Sequence, residues 1–321
     1  MLRRREILVL GTSLGTMRLV HAQGYPARPI TMLVPFAAGG AADITARAVS
    51  KGLGDLLGQA IVVENKPGAS GILAAEALLA RPADGHTLLL ASNSITTSKW
   101  LYPQISFDAS KDFRAIGLAL KSPHMAVVSD RFAGSSIHDL VRMARERPGS
   151  VNYATAGSGT APHLFAEIFQ RQTGTSMVGV PYKGSAPALA AVLGGEVTVY
   201  FDILMSSKAL LASGRLKSLG VSSAQRMPRY PAVPTFEEQG LKGLDLFSWF
   251  GVVAKSGTPE PIVRKLNAAL NQTVRSAEFS TRADDLGALS VGGTTASFQK
   301  LIGDDTALWG KVIVEKNIRP E

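Results

Sequence analysis

The chain has no cysteine. That excludes disulfides and thiolate metal sites, and it excludes a lipid-anchored cysteine behind an N-terminal export signal. Long apolar runs are also missing. Beyond residue 22 none approaches the roughly 20 residues that span a bilayer, so direct membrane insertion is not expected. Basic runs and basic–aromatic alternation are absent despite a net charge of +9, which argues against a nucleic-acid partner. His86, His124, His138 and His163 lack metal-type spacing. There is no fixed-period repeat and no low-complexity linker. The G-x-x-x-x-G-K-[ST] phosphate loop is missing. Gly157-x-Gly159-x-x-Pro162 fails the third position of the dinucleotide fingerprint, and Gly157-Ser158-Gly159 lacks the outer glycines of a nucleophile elbow. No metal and no cofactor are therefore expected.

What remains is an ordinary globular composition, 45% hydrophobic and 18% charged over 321 residues, enough for one large or two medium cored domains. Residues 1–22 read as an export signal. Arg3, Arg4 and Arg5 lead, a mildly apolar stretch Ile7 to Val20 follows, and Val20-His21-Ala22 resembles a cleavage site before Gln23. Arg4-Arg5-Glu6-Ile7-Leu8 also suits a twin-arginine signal. The signal carries four arginines and one glutamate, hence +3, which leaves +6 of the +9 on the mature chain. Such a field helps anionic solutes arrive, or it is simply a solvated surface. A mature protein without a lipid anchor diffuses freely, which suits the periplasm.

Past Gln23, short β-rich runs alternate with helical patterns. Ile30–Pro35, Ile61–Glu64 and Thr87–Ala91 read as strands, with helices Ala41–Leu57 and Ile72–Ala80 between them. This order predicts a parallel, doubly wound α/β sheet. A second unit is expected from Met125. Its strands are Ala126–Val128, Val151–Ala154, Met177–Val180, Val197–Phe201 and Leu216–Val221. Its helices start behind Ser136, at His163, at Pro187 and around Lys208. Ser136 with Asp139 three residues on reads as an N-cap. Three prolines in Arg226–Pro234 mark a crossover before an apolar strand Phe247–Ala254 and two further helices.

Two loops stand where open α/β sheets bind ligands, at the carboxyl ends of strands. The first is Phe36-Ala37-Ala38-Gly39-Gly40-Ala41-Ala42-Asp43; the second is Ala156-Gly157-Ser158-Gly159-Thr160-Ala161. Small residues let a ligand reach the backbone. The unpaired N–H groups of a helix start, with the helix dipole, favour an anion. Taken alone, each loop is equally a tight turn that needs glycine for positive φ. Facing each other, they would hold a dicarboxylate at both ends. Ser158 and Thr160 add hydroxyl donors. Ser92, Asn93 and Thr96 follow the Thr87–Ala91 strand and share that end of the sheet. Tyr182 is a candidate pocket wall beside Lys183, which is either a carboxylate contact or a solvated lysine. Asp202 ends a strand and either lines the cleft, caps the next helix or bonds across lobes. His163 reads as a packing or capping residue rather than a base, and a hydrolase using Ser158 and His163 is the catalytic alternative.

Several runs together resemble one family. They are Tyr25-Pro26-Ala27-Arg28-Pro29-Ile30, Val34 to Asp43, Val63-Glu64-Asn65-Lys66-Pro67-Gly68-Ala69-Ser70-Gly71, Asp84-Gly85-His86-Thr87-Leu88, Lys111-Asp112-Phe113, Val180 to Leu189 and Gly194-Gly195-Glu196-Val197. In order and over nearly the whole mature chain, they are similar to the Bug family, the extracytoplasmic solute receptors of tripartite tricarboxylate transporters. The resemblance implies a type II periplasmic-binding-protein architecture, two doubly wound lobes around a hinged cleft that shuts like a Venus flytrap. It implies carboxylate capture through backbone N–H groups and ordered water from loops Phe36–Ala42 and Ala156–Ala161. The first loop matches closely. The second departs, with Ala156 in place of a serine and Ala161-Pro162 altering the helix start. Trp100 is also unusual and is expected at the mouth. On this reading residues 23–124 and 226–321 form lobe 1 and residues 125–225 form lobe 2. The protein is a non-catalytic monomer that binds a mono- or dicarboxylate or an aromatic acid, and its partners are the membrane subunits of a transporter. A sensor that presents the same closed form to a membrane kinase is the alternative partner reading.

Overall fold

The computed structural model describes residues 24–102, 104–227, 230–285, 287–316 and 318–319. The predicted signal, residues 1–22, lies outside them. The chain begins β1 (Ile30–Val34), α1 (Ala41–Leu57), β2 (Ile61–Asn65), α2 (Ile72–Leu79), β3 (Thr87–Ser92) and α3 (Ser94–Leu101), then enters the 17-residue β4 (Phe113–Ser129). There follow α4 (Ile137–Glu146), β5 (Asn152–Thr155), α5 (Ala161–Thr173), β6 (Val178–Pro181), α6 (Ser185–Gly194), β7 (Val199–Ile203), α7 (Leu204–Ala212) and β8 (Leu216–Val221). The chain ends with β9 (Phe247–Lys255), α8 (Glu260–Arg275), α9 (Ala277–Asp285), β10 (Leu289–Ser290) and α10 (Thr295–Lys316).

The strand order β2-β1-β3-β9-β4-β7-β5-β6 is shared by two sheets joined at β4. The first half of β4 pairs with β9, and the second half, from His124 on, pairs with β7 and β8. The parallel pairs expected from the sequence are present, β1 with β2 and β3, and β5 with β6 and β7. Each sheet also contains antiparallel pairing that the βαβ pattern does not foresee. The reason is the path of the chain. β4 carries it out of the first sheet and β9 brings it back, so the two run in opposite directions. The second unit accordingly has no separate first strand at Ala126; it borrows the far half of β4.

At the crossing, five polar contacts tie the strands together. His124 N–H donates to Ser222 Oγ at 2.8 Å, and Ser222 N–H returns a bond to His124 O at 2.8 Å. Ser222 Oγ donates to Leu246 O, and the His124 ring bonds Phe201 O through Nδ1 and Ser248 Oγ through Nε2. Burial lowers the imidazole to about 4, so the ring is neutral and both nitrogens are engaged in this junction.

Hydrophobic layers cover both faces of each sheet. Around the first sheet, Val49, Leu53, Leu266 and Leu270 fill one side and Leu78, Leu89, Phe113 and Phe298 the other. On α1 the buried stripe runs through Ala46, Val49 and Leu53, while Leu56 is 41% exposed. α4 starts as the sequence predicts. Ser136 and Asp139 form a reciprocal capping box.

The second sheet's core holds Phe165, Phe169 and Phe201, and Phe236 and Leu244 pack into it as well. The segment after residue 225 therefore still packs with the second lobe, because Phe236 lies 5.6 Å from the Phe165 ring. Replacing Phe236 by alanine should cost about 3–5 kcal/mol through the cavity it leaves. Urea unfolding followed by circular dichroism should show the midpoint lowered accordingly in the variant. An unchanged midpoint would mean that Phe236 does not support this core.

Candidate functional site

Five helices begin at one cavity between the two sheets. Its wall contains Gly40, Ala41 and Ala42 from the start of α1, Asn93 before α3, and Thr160, Ala161 and Pro162 from the start of α5. Ser185 opens α6, and Asp202 and Ile203 lie just before α7. In each helix the first N–H groups have no intrahelical acceptor, and the dipoles add to a positive potential where they meet. Pro162 has no N–H, so α5 offers one donor fewer than α1. Phe36, Ile203 and Phe250 supply apolar wall, and Ser92 and Ser248 supply hydroxyls. The closed cavity measures about 40 Å³, the scale of a few waters or one carboxylate group.

One ionisable side chain lines it among the described residues, Asp202. It is fully buried. Oδ2 accepts from Ser206 Oγ, while Oδ1 has no partner among the described residues. Burial pushes its carboxyl up to about 7, against the lowering effect of hydrogen bonding from Ser206, the Ile203 backbone, Ser185 and Tyr200. Beside it Ser185 Oγ and Tyr200 OH are 3.0 Å apart.

The predicted residues divide into three groups. Phe36, Gly40, Ala41, Ala42, Ser92, Ala156, Thr160, Ala161 and Asp202 line this cavity. Gly157, Ser158 and Tyr182 do not. They border a second hollow of about 200 Å³, which shares only Phe36 and Ala156 with the first. Ala37, Ala38, Gly39, Asp43, Gly159 and Thr96 line neither. Ala38 and Gly39 face solvent. The Thr96 hydroxyl is spent on Asn93 O within its own helix.

Asp43 braces the first loop instead of facing a ligand. It accepts from Gly39 N–H, Asn65 Nδ2 and Arg47 Nε at 2.9–3.0 Å. Burial works against its ionised form, but those hydrogen bonds outweigh it and hold the carboxyl below its ordinary range. Asn65 also donates to Phe36 O, so the loop's shape is held from two sides.

The remaining loop atoms close the cleft. Ala37 N–H donates to Lys183 O at 2.9 Å, and Thr97 Oγ1 donates to Gly159 O at 2.7 Å. The Lys183 side chain is exposed. Gly159 N–H donates to His163 Nδ1 at 2.8 Å, so His163 caps its own loop and that nitrogen is committed. Trp100 is not at the mouth. Its Nε1 donates to Thr306 O, and its ring packs over Gly310 on the outer side of α10. Pro103, beside it in the sequence, lies outside the described residues.

The comparisons with known proteins agree with this geometry. The profile of the TctC family, the tripartite tricarboxylate transporter family receptor, matches residues 45–318. The chain belongs to that family. Protein BugT of Bordetella pertussis is 34% identical to it over 316 residues, covering 97% of each chain. Among solved structures, Rpa4515 of R. palustris with adipate superposes with a TM-score of 0.89 at 34% identity, over 92% of this chain and all of the other. MatC of Rhodopseudomonas palustris with bound malate gives 0.86 at 31%, over 90% of this chain and all of the other. The receptor is thus a Bug-type protein with the two-lobe architecture of its relatives.

Sequence reading alone missed several wall residues of the receptor. Ser248 and Phe250 come from β9, which enters the first sheet antiparallel, so no strand-to-helix loop marks them. Ile203 and Pro162 are apolar neighbours of residues already chosen. Ser185 carried a legible signal, since it sits where a strand gives way to a helix, and Asn93 was already placed at that end of the sheet.

Proposed function

We propose that this receptor captures a small carboxylate in the periplasm and presents the closed form to the membrane subunits of a tripartite tricarboxylate-type transporter. The carrying observation is that five helix N-termini converge on one interlobe cavity without a lysine or arginine among its described lining residues. Such a site binds an anion by oriented backbone dipoles. The ligands of the R. palustris relatives, adipate and malate, support the class. Contacts are assigned to Gly40, Ala41, Ala42, Ser92, Asn93, Ala156, Thr160, Ala161, Ser185 and Asp202, with Phe36 and Phe250 as apolar walls. Lobe 2 runs from His124 to Leu246, since Phe236 and Leu244 pack in its core, and lobe 1 comprises the rest of the mature chain. Residues 1–22 act as the export signal, and the mature receptor works as a monomer. No residue is assigned a catalytic role.

Solute entry requires the lobes to part, because the contacts Ala37–Lys183 and Thr97–Gly159 close over the cavity. Binding then shifts the population toward the closed form, whose surface the membrane partner reads. The test is a thermal shift of the protein from Gln23 against succinate, malate, adipate, citrate, aspartate and benzoate. A ligand at 100 times its Kd adds about 2.7 kcal/mol, a rise of several degrees for a chain of this size. One acid that raises the melt without being consumed is the expected result. A flat panel with ligand-free protein overturns the carboxylate assignment, and consumption of the acid points to an enzyme.

A further inference from the structure

The cavity combines two features that oppose each other. Five helix N-termini favour an anion, yet the one ionisable wall residue is itself a carboxyl. Asp202 is fully buried, and no lysine or arginine lines the cavity among the described residues. The groups that face it from neighbouring elements are neutral or already engaged. Tyr200 lies two residues back on β7, with its hydroxyl on Ser185 of α6; both hydroxyls favour an ionised Asp202, but less than burial disfavours it. His124 of β4, opposite Ile203, holds Phe201 O and Ser248 with a ring that burial keeps neutral. Asp43 of α1 is bound to Arg47 and Asn65, and Asn93 donates to Asp305 of α10. An ionised Asp202 therefore has no counter-ion among the described residues.

A protonated Asp202 fits its surroundings. Oδ2 is the acceptor of Ser206 Oγ, which leaves Oδ1, the oxygen without a partner, to carry the proton. Resting on the receptor reading above, we propose that the Asp202 carboxylic acid donates its Oδ1–H to the carboxylate of the bound solute. The solute's negative charge then lies between helix N-termini and a neutral acid, and no two carboxylates meet. One proton accompanies each solute into the closed cleft. No covalent bond changes; the proton comes from bulk water or buffer and returns there on release. Burial already pushes the free carboxyl up to about 7, and an anion held against it disfavours ionisation further.

The consequence is a receptor whose affinity depends on pH. Above the titration of free Asp202, binding has to draw in a proton, so affinity should fall by about tenfold per pH unit. The experiment is calorimetric titration of the mature protein with the tightest binder among succinate, malate, adipate, citrate, aspartate and benzoate. It is run at pH 5.5 and 8.5, each in two buffers of different ionisation enthalpy. The expected result is uptake of about one proton per solute at pH 8.5, little at pH 5.5, and weaker binding at the higher pH. D202N keeps a donor that does not titrate, so it should bind with no proton uptake and no pH dependence. D202A should bind weakly at both values. If wild type binds with pH-independent affinity and no proton uptake, the inference is overturned while the receptor reading stands. The same holds if affinity rises with pH, as an ammonium-bearing solute paired with ionised Asp202 would require. If none of the six acids binds wild type, the receptor reading fails and this inference with it. Should D202N not fold, the wild-type proton count alone decides.

Discussion

Gly159→Ala is expected to weaken solute binding about 100-fold, equivalent to nearly 3 kcal/mol, while leaving both lobes folded. Gly159 has φ +76°, in the left-handed region that favours glycine. A Cβ there would lie 2.1 Å from Leu101 Cδ1 and 3.0 Å from Thr97 Oγ1. Both partners belong to α3, across the cleft. Leu101 cannot retreat freely, because it is buried with Leu164, Trp309 and Ile313. The clash therefore exists in the closed form and disappears when the lobes part, so the variant shifts the population toward the open state. Gly149→Ala separates this effect from backbone strain. Gly149 has φ +77° and nothing within 4 Å of the added atom, so it carries the same left-handed cost of about 1–2 kcal/mol and no clash. Calorimetry with the best acid should find Gly149→Ala close to wild type and Gly159→Ala far weaker. Small-angle scattering should find Gly159→Ala more open. Equal losses in the two variants would mean that closure is not what Gly159 permits.

The second large effect is on stability as a function of pH. Burial raises Asp202 from 3.8 to about 7. The native state keeps this proton where the unfolded chain has lost it. Stability from Asp202 is thus full below pH 4 and disappears as pH rises toward 7, a change of about 4 kcal/mol at 1.36 kcal/mol per unit. Burial lowers His124 from 6.5 to about 4. Here the unfolded chain takes up the proton first, so stability is full above pH 6.5 and falls by about 3 kcal/mol on acidification to pH 4. In wild type the two slopes oppose each other over this window. D202N removes the first. Urea unfolding of wild type and D202N from pH 4.5 to 8 should show the variant gaining on wild type steadily as pH rises to 7. The difference between the two curves cancels every other carboxylate. Parallel curves would mean that Asp202 is ionised in the folded protein, and the proton-carrying role would go with it.

Much of this was readable in advance because it is local. Strand-to-helix alternation, the Ser136 cap and the two small-residue loops depend on residues close together in the chain, and all three recur in the fold. The loop Phe36–Asp43 is a clear case. Its small residues do admit close approach, but which of its atoms face the cavity is not a local property. Ala41 and Ala42 face it, Ala38 faces solvent, and Asp43 turns away to hold Gly39, Arg47 and Asn65. Trp100 failed as a mouth residue for the same kind of reason. Its neighbour is Gly310, more than two hundred residues later in the chain, a pairing that no spacing rule reports.

The sequence by itself determined the α/β class, the absence of any cysteine, the family, and the places where helix starts meet strand ends. Those features follow from residue type and short-range period. Tertiary structure alone decided that five helix starts rather than two share one cavity, that β4 serves both sheets, and that Asp202 is stripped of water with one oxygen left free. These depend on burial and on the return path of β9, and burial is a sum over distant neighbours. A carboxylate at a strand end is ordinary until the fold buries it in a cavity with no lysine or arginine among its described lining residues.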